Sequence, residues 1–562
     1  MMQLVTEICM ALVRLRNICA NGAARQNQLF CFGTYSSPRG SATGLLLCLF
    51  GMMLLTGCGS GSSAGNHQNG AEASAQLGAL TDSEAVAQAT TLAQRHEESA
   101  PAPAPIGTVS YYESSVTLPV YPFEQYQSDA VDPDTNWPYK AFDYERFELE
   151  APKPQNRRFR TIVLENAFLE LTILPELGGR LWQVVHKPTG NRMFYQNTVV
   201  KPTRWGPGNQ RGWFGLGGLE WNIPVIEHGY EWGTEWGVLP LQHSPELASV
   251  TLFTPPDGRP LNASITISLL AGAASFEVEP SISNLSDKSV TFDYWQTAML
   301  APGKKNSPSA QLHFVVPSAQ MMVHSTNDPA LPLPGETFTW PQYDGRDLSH
   351  LGNWNQYLGF FEYPEAHGPF VGVYDGAADA GAVRFYPADV ARGSKVFSPG
   401  WNDAIPSSNY TDDDSSYVEL HGGLAPSFFE HYTLPQGALV SWREVWYPVA
   451  GIGDLSYANE AAALSVNASQ RAASTAASTT NKANKATDTL DIGFYPTRPM
   501  DGTLVVELAN EDVSSAPVKA SPDTPFVDEF VLPHAIDLKS KDVALTIRFE
   551  DADGRILLLY QP

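Results

Sequence analysis

Three short stretches of this chain carry most of the side chains suited to moving a proton beside a flat, apolar ligand. GLGGLEWNIPVIEHGYEWGTEW, Gly215 to Trp236, holds four glutamates (Glu220, Glu227, Glu231, Glu235), three tryptophans (Trp221, Trp232, Trp236) and His228. YVELHGG, from Tyr417, adds Glu419 and His421, and SWREVWYP, from Ser441, sets Glu444 between Trp442 and Trp446. Carboxylate, imidazole and indole together suit chemistry on a sugar. One group takes a hydroxyl proton, another protonates a ring or glycosidic oxygen, and an indole face stacks on the ring. Cleaving a glycoside would instead need two carboxylates across one cleft, drawn from Glu220, Glu227, Glu231, Glu419 and Glu444. The same residue types also build packed corners, so core and cleft stand as alternatives for each tryptophan.

Local pattern says which of these groups can act together. LEWNIP reads as a short strand stopped by Pro224, which turns Glu220 and Asn222 to one face and Trp221 and Ile223 to the other. EHGYEWGTEW is too rich in glycine for a helix and reads as a loop carrying His228 and Trp232. Glu419 and His421 lie two apart and share a strand face. Trp442, Glu444 and Trp446 share one as well. Glu444 is then either an acid with a pKa raised by desolvation or a core carboxylate satisfied by an amide or an arginine. In LPELGGRL, Gly178 and Gly179 form a tight hairpin or bulge. Arg180 either grips a ligand carboxylate in the cleft or pairs with Glu176 or Glu220. TDDDSS, with Asp412, Asp413 and Asp414, offers too few and too crowded oxygens for calcium and reads as a solvated turn. No metal site is expected.

The elements that must hold these residues are strands. LELTIL, ITISLL and FEVEPSI alternate with period two, between turns rich in Gly, Pro, Asn and Asp. This predicts an all-β protein, with one large sandwich or two extensively packed sheets over residues 109–457. No convincing amphipathic helix occurs between Val109 and Val449. Residues 458–488 are rich in Ala, Ser, Thr and Asn and read as a linker, and 489–562 as a small β-sandwich with an accessory or packing role. There is no P-loop, no dinucleotide fingerprint, no HExxH and no GxSxG, so no cofactor is expected. A net charge of −25 would repel phosphate backbones and makes nucleic acid an unsuitable partner.

All five cysteines fall in the first 58 residues, which removes disulfide, thiolate-zinc and cysteine-nucleophile chemistry from the body. The apolar run Leu45–Leu55 is too short to span a bilayer and suits a signal peptide. It ends in Leu-Thr-Gly-Cys58, which resembles a bacterial lipobox. The resemblance implies cleavage of residues 1–57, lipid on Cys58, and a membrane tether over 58–108. Gly59, rather than Asp, after the cysteine resembles outer-membrane sorting.

VTLPVYPF, NWPYKAFDY, VLENAFLELTILPELGGRLWQVVHKPTGNRMFYQN, GLGGLEWNIPVIEHG, YVELHGG and SWREVWYPVAGIG together resemble the DUF5107 family, over about Val116 to Ala463. That family is similar to the galactose-mutarotase-like β-supersandwich proteins. The resemblance implies a carbohydrate partner, and it maps the acid and base of a mutarotase-like site onto His228 and Glu419. EHGYEWGTEW departs from the shorter segment, rich in proline and histidine, that is more usual in the family. The expected catalytic set is therefore Glu220, His228, Glu419 and Glu444. The expected sugar-binding set is Asn222, Arg180, Trp221, Trp232, His421, Trp442 and Trp446. The resulting expectation is a lipid-anchored envelope protein that acts on a glycan or aldose by Glu/His acid-base chemistry. A non-catalytic glycan-binding lipoprotein is the alternative.

Overall fold

The alternation read in the sequence is realised strand by strand. In Leu261–Leu270 every second side chain is buried, as in Phe276–Asn284 beside it. The computed structural model describes residues 107–206, 210–471, 487–533 and 544–562. The expected leader and Cys58 lie outside the described residues, as does the tether apart from its last two positions. Among the described residues no helix is long and apolar enough to cross a membrane.

The protein is all-β. A 12-stranded antiparallel sheet faces a 10-stranded one, and two four-stranded sheets follow. Leu219, Trp221, Ala298, Leu420, Val396 and Phe360 from the larger sheet meet Ile265, Ile267, Val278, Val373, Ala382 and Trp446 from the other in one continuous core.

Eight strands position the chemistry. They are β1 (Arg180–His186), β2 (Gly218–Asn222), β3 (Trp295–Gly303), β4 (Gln320–Thr326), β5 (Leu358–Glu362), β6 (Gly393–Ser398), β7 (Val418–Gly423) and β8 (Glu444–Ala450). The first seven belong to the 12-stranded sheet, where β2 pairs with β1 and β3 and the order continues β3-β7-β6-β5-β4. β8 is central in the second sheet. Apart from Gln296, which turns to Glu444, residues on the inner face of β2, β3 and β7 are apolar or glycine because they form the inter-sheet core. Those on the outer face are covered by the N-terminal strands and the segments around residues 195–236, with Val116, Leu118, Phe123, Phe214 and Trp232 packing beside Met299.

One helix departs from the expected all-strand pattern. Tyr144–Glu150 is capped by Asp143, whose side chain accepts the Arg146 amide N–H. Seven residues are too few to display a helical period, so the segment gave no signal.

The small domain begins earlier than expected. Its strand Ala462–Arg471 lies inside the segment read as a linker. Ala462, Leu464 and Val466 alternate into a core with Ile492, Phe494, Leu504, Ile547 and Phe549. The abundance of Ala and Ser masked that alternation. This domain also covers the second sheet. Tyr374, Val383, Val445, Tyr447 and Val449 form a single apolar cluster with Ile452, Leu455, Ala463 and Tyr495. Tyr447 donates through its hydroxyl to the Asn459 and Ala462 carbonyls, and the Tyr495 hydroxyl lies 3.2 Å from His186 Nε2.

Candidate functional site

Strand register sets a polar stripe across the outer face of the 12-stranded sheet. Glu220 stands opposite Thr297, Thr297 opposite His421, and His421 opposite Lys395. Side chains at opposed positions share a face. Glu419 lies on that face two residues before His421. Phe361 follows Lys395 on β5, and His324 occupies a register shift in β4.

The loop after β2 lies over this stripe. A cis peptide precedes Pro224, and Glu227 takes φ of +63°. The loop is pinned where Gly178 and Gly179, both at positive φ, let it approach. A Cβ at Gly178 would lie 2.9 Å from the Glu231 carbonyl, and one at Gly179 would lie 2.8 Å from the Trp236 ring. LPELGGRL and EHGYEWGTEW are thus two halves of one contact.

Each carboxylate of the stripe has a basic partner. Glu220 meets Arg180 at 3.3 Å and His228 Nδ1 at 2.8 Å. Glu227 meets His324 Nε2 at 3.1 Å, and Glu419 meets His421 Nε2 at 2.7 Å. The His228 ring stacks on Trp213 with centroids 3.4 Å apart. Lys395 Nζ lies 3.5 Å from His421 Nε2 and 4.6 Å from the centre of the Phe428 ring.

A relay orients the His421 ring. Asn222 Nδ2 donates to Thr297 Oγ1 at 2.7 Å, and that hydroxyl lies 2.9 Å from His421 Nδ1. The hydroxyl thus ties the Asn222 amide to one ring nitrogen of His421, while the other ring nitrogen meets Glu419 Oε2 at 2.7 Å.

Electrostatics separates the two carboxyls nearest Lys395. Burial pushes Glu419 up to about 7, against Lys395 and His228 and with help from Glu220 and Glu227. Burial also works against the Glu227 charge, but His324 and Lys395 outweigh it and hold that carboxyl at about 2. Burial drives His421 well below its ordinary value, and Lys395 and His228 push it further. Lys395 itself is lowered by burial, with Glu227 and Glu419 opposing.

Of the residues expected from sequence, Glu220, His228, Glu419 and His421 come together here, with Asn222 and Arg180 behind them. Asn222 and Arg180 support the site from within the protein. Arg180 is sealed, bonding Glu220 and the Leu177, Gly217 and Trp232 carbonyls, so it serves the pairing alternative rather than a ligand carboxylate.

The expectation that Glu444 shares the cleft is corrected. Glu444 lies between the sheets, bound by Arg384 at 2.7 and 2.8 Å, by the Trp442 and Trp446 indole N–H groups and by Gln296. Trp221, Trp442 and Trp446 belong to that inter-sheet core, and Trp232 packs edge-on against Phe214. None of these four offers a face to a sugar. Glu231 is also apart, bonded to the Trp137 indole and to Arg259. Asp412, Asp413 and Asp414 bond to protein donors such as Lys201, Thr198 and Ser407.

Lys395, His324 and Trp213 were missed. Lys395 lies in GSKVFS, where every residue is buried. The available signal was a lone cation in a strand flanked by apolar sequence. The HGG of YVELHGG shows what frames it. A Cβ at Gly422 would strike the Arg384 guanidinium on the inner face, and one at Gly423 would lie 2.4 Å from the Trp295 ring on the outer face. That indole also covers Gly393 and, with Phe361 and Phe428, forms one apolar end of the stripe.

The family model described as a domain of unknown function, DUF5107, matches residues 132–449, more than half of the chain. The chain belongs to the DUF5107 family. The stripe lies entirely within the matched residues. Among solved structures, this DUF5107 chain is similar to a TPR-domain containing protein from Parabacteroides distasonis, with 19% identity and a TM-score of 0.51. That match covers 61% of this chain and 56% of the other, so it spans little more than half of that protein. A galactose mutarotase-like protein from Clostridium acetobutylicum is 12% identical, with a TM-score of 0.37 over 52% of this chain and 96% of that one. A protein from Escherichia coli K12 described as a putative aldose 1-epimerase is 11% identical, with a TM-score of 0.36 over 51% and 98%. At 19% identity the likeness to the Parabacteroides distasonis protein is one of fold alone.

Proposed function

We propose that this DUF5107 protein acts on a carbohydrate by acid-base chemistry, with Glu419 as the proton donor rather than the base that the mutarotase resemblance implies. The observation that carries the reading is the state of Glu419. Its carboxyl is enclosed, keeps its proton up to about pH 7, and has Oε2 occupied by His421. That is what a general acid needs near neutrality. His228, oriented through Nδ1 by Glu220, is the second proton carrier.

An aromatic approach supports a sugar as the substrate. The Trp213 indole donates to the Trp205 carbonyl at 2.7 Å, and the half-buried Trp205 meets Tyr357 edge-on at 4.9 Å. Tyr357 precedes β5, in which a Cβ at Gly359 would touch both His324 and Lys395 Cε. Trp401, 39% exposed, lies just beyond Gly400, which abuts Gln356 and Tyr357. Partly exposed rings on segments that lead to His324 and Lys395 suit a pyranose.

The test is polarimetry on freshly dissolved α-D-glucose and α-D-galactose, together with release of reducing ends from a glycan panel. Turnover should fall about 10²- to 10⁴-fold in Glu419→Gln. Unchanged turnover in that variant refutes the assignment. Calorimetric binding with no turnover in the wild type would favour the glycan-binding alternative, to which the near-complete enclosure of Glu419, His421 and Lys395 lends weight. Anchorage in the bacterial outer membrane through Cys58 belongs to the same reading. Labelled palmitate should enter the wild type and not Cys58→Ala.

A further inference from the structure

Glu227 stands out among the stripe's carboxylates. It is the one long side chain among the described non-glycine residues with positive φ, the others being Asn, Asp and Ala. A residue held in that region is strained, and its neighbours must over-determine it. The neighbours here are His324 at 3.1 Å and a loop locked at both ends. Exposure also differs. The Glu227 side chain is 21% exposed and His324 14%, against 3% for Glu419. Glu227 is therefore the more accessible of the two carboxyls. Lys395 lies 3.5 Å from the His421 ring that meets Glu419, and Phe428 packs against both Lys395 and the His324 ring that meets Glu227.

We propose that Glu227 is the catalytic base of a glycoside hydrolysis in which Glu419 is the acid, with His324 and Lys395 as positioning residues. This rests on the acid role given to Glu419 above and adds a reaction class to it. The C1–O bond of the glycoside breaks, and its electron pair stays on the departing oxygen, which takes the Glu419 proton. Water forms the new C1–O bond and yields its proton to Glu227. The products are a reducing sugar and an alcohol, and the two carboxyls have exchanged one proton net. The opposite pKa shifts leave the proton on Glu419 and the charge on Glu227, which is the starting state this step needs. The substrate is a neutral glycoside, because the Lys395 charge already faces Glu227 and Arg180 already faces Glu220.

The experiment uses the full chain and a panel of 2,4-dinitrophenyl and 4-nitrophenyl glycosides, with and without sodium azide. Glu227→Gln should lose about 10²- to 10⁴-fold on both leaving groups, and azide should restore turnover as glycosyl azide. Glu419→Gln should lose rate on the 4-nitrophenyl substrates and keep it on the dinitrophenyl ones, whose departing oxygen needs no proton. Glu365→Gln, a surface control paired with Arg392, should match the wild type. His324→Gln should shift the acidic limb of the kcat/KM profile upward, which a merely structural role would not do. Circular dichroism melts identify variants that fail to fold, and for such a variant Glu227→Asp replaces Glu227→Gln with the same expected loss. Wild-type rates in the Glu227 variant, or no cleavage of any glycoside, overturn the inference. If sugar interconversion by the wild type persists and depends on Glu419 alone, the inference falls while the acid role stands. If Glu419→Gln changes nothing, both fall.

Discussion

Glu227 and His228 are consecutive in sequence, yet their side chains pair with partners on different strands. Glu227 reaches His324 on β4, and His228 reaches Glu220 on β2. One short loop therefore closes both ends of the stripe, and β3, β7, β6 and β5 lie between.

Folding raises the Glu419 carboxyl from an ordinary value of 4.5 to about 7. The folded chain holds this proton more tightly than the unfolded chain, so this group's contribution to stability falls as pH rises from 4.5 through 7. The shift corresponds to about 3 kcal/mol. Glutamine cannot ionise, so Glu419→Gln should gain relative to the wild type between about pH 4 and about pH 8. Urea unfolding at the two pH values measures this. A constant difference would show that Glu419 does not hold its proton in the folded state.

Glu444→Gln should behave oppositely. It leaves the sealed Arg384 guanidinium without its carboxylate, at a cost of about 3–5 kcal/mol. Its melting temperature should fall steeply. Unchanged melting would return Glu444 to the site.

Gly423→Ala places a Cβ 2.4 Å from the buried Trp295 ring. Overpacking of this kind costs about 1–3 kcal/mol. Thermal unfolding should register the loss, and Trp295→Leu in the same chain should recover part of it.

Thr297→Val nearly preserves shape and removes the hydroxyl between Asn222 and His421. Imidazole ¹⁵N spectra should show a changed tautomer balance at His421. Turnover should drop, with a loss of about 1–3 kcal/mol in stability from the unpaired Asn222 amide. An unchanged tautomer would remove the relay from the mechanism.

Period-two alternation made the all-β class legible, and two-residue spacing placed Glu220 with Asn222 and Glu419 with His421. Lys395 was not legible, because its role depends on the pairing of β6 with β7, and register between distant strands is not written in either one. Glu444 misled for a related reason. A carboxylate between two tryptophans looks the same in a cleft and between two sheets. Only the face of β8, and the arginine arriving from a neighbouring strand, decide between them.

The apolar cluster shared by the second sheet and the C-terminal domain bears on how this chain can be divided. Tyr374, Val445, Tyr447 and Val449 are covered by Ile452, Leu455, Ala463 and Tyr495, beyond or at the very end of the family-matched residues. A fragment cut at the family boundary would carry an oily outer wall into water. The DUF5107 body here is not a portable cassette; its solubility is on loan from the sequence that follows it.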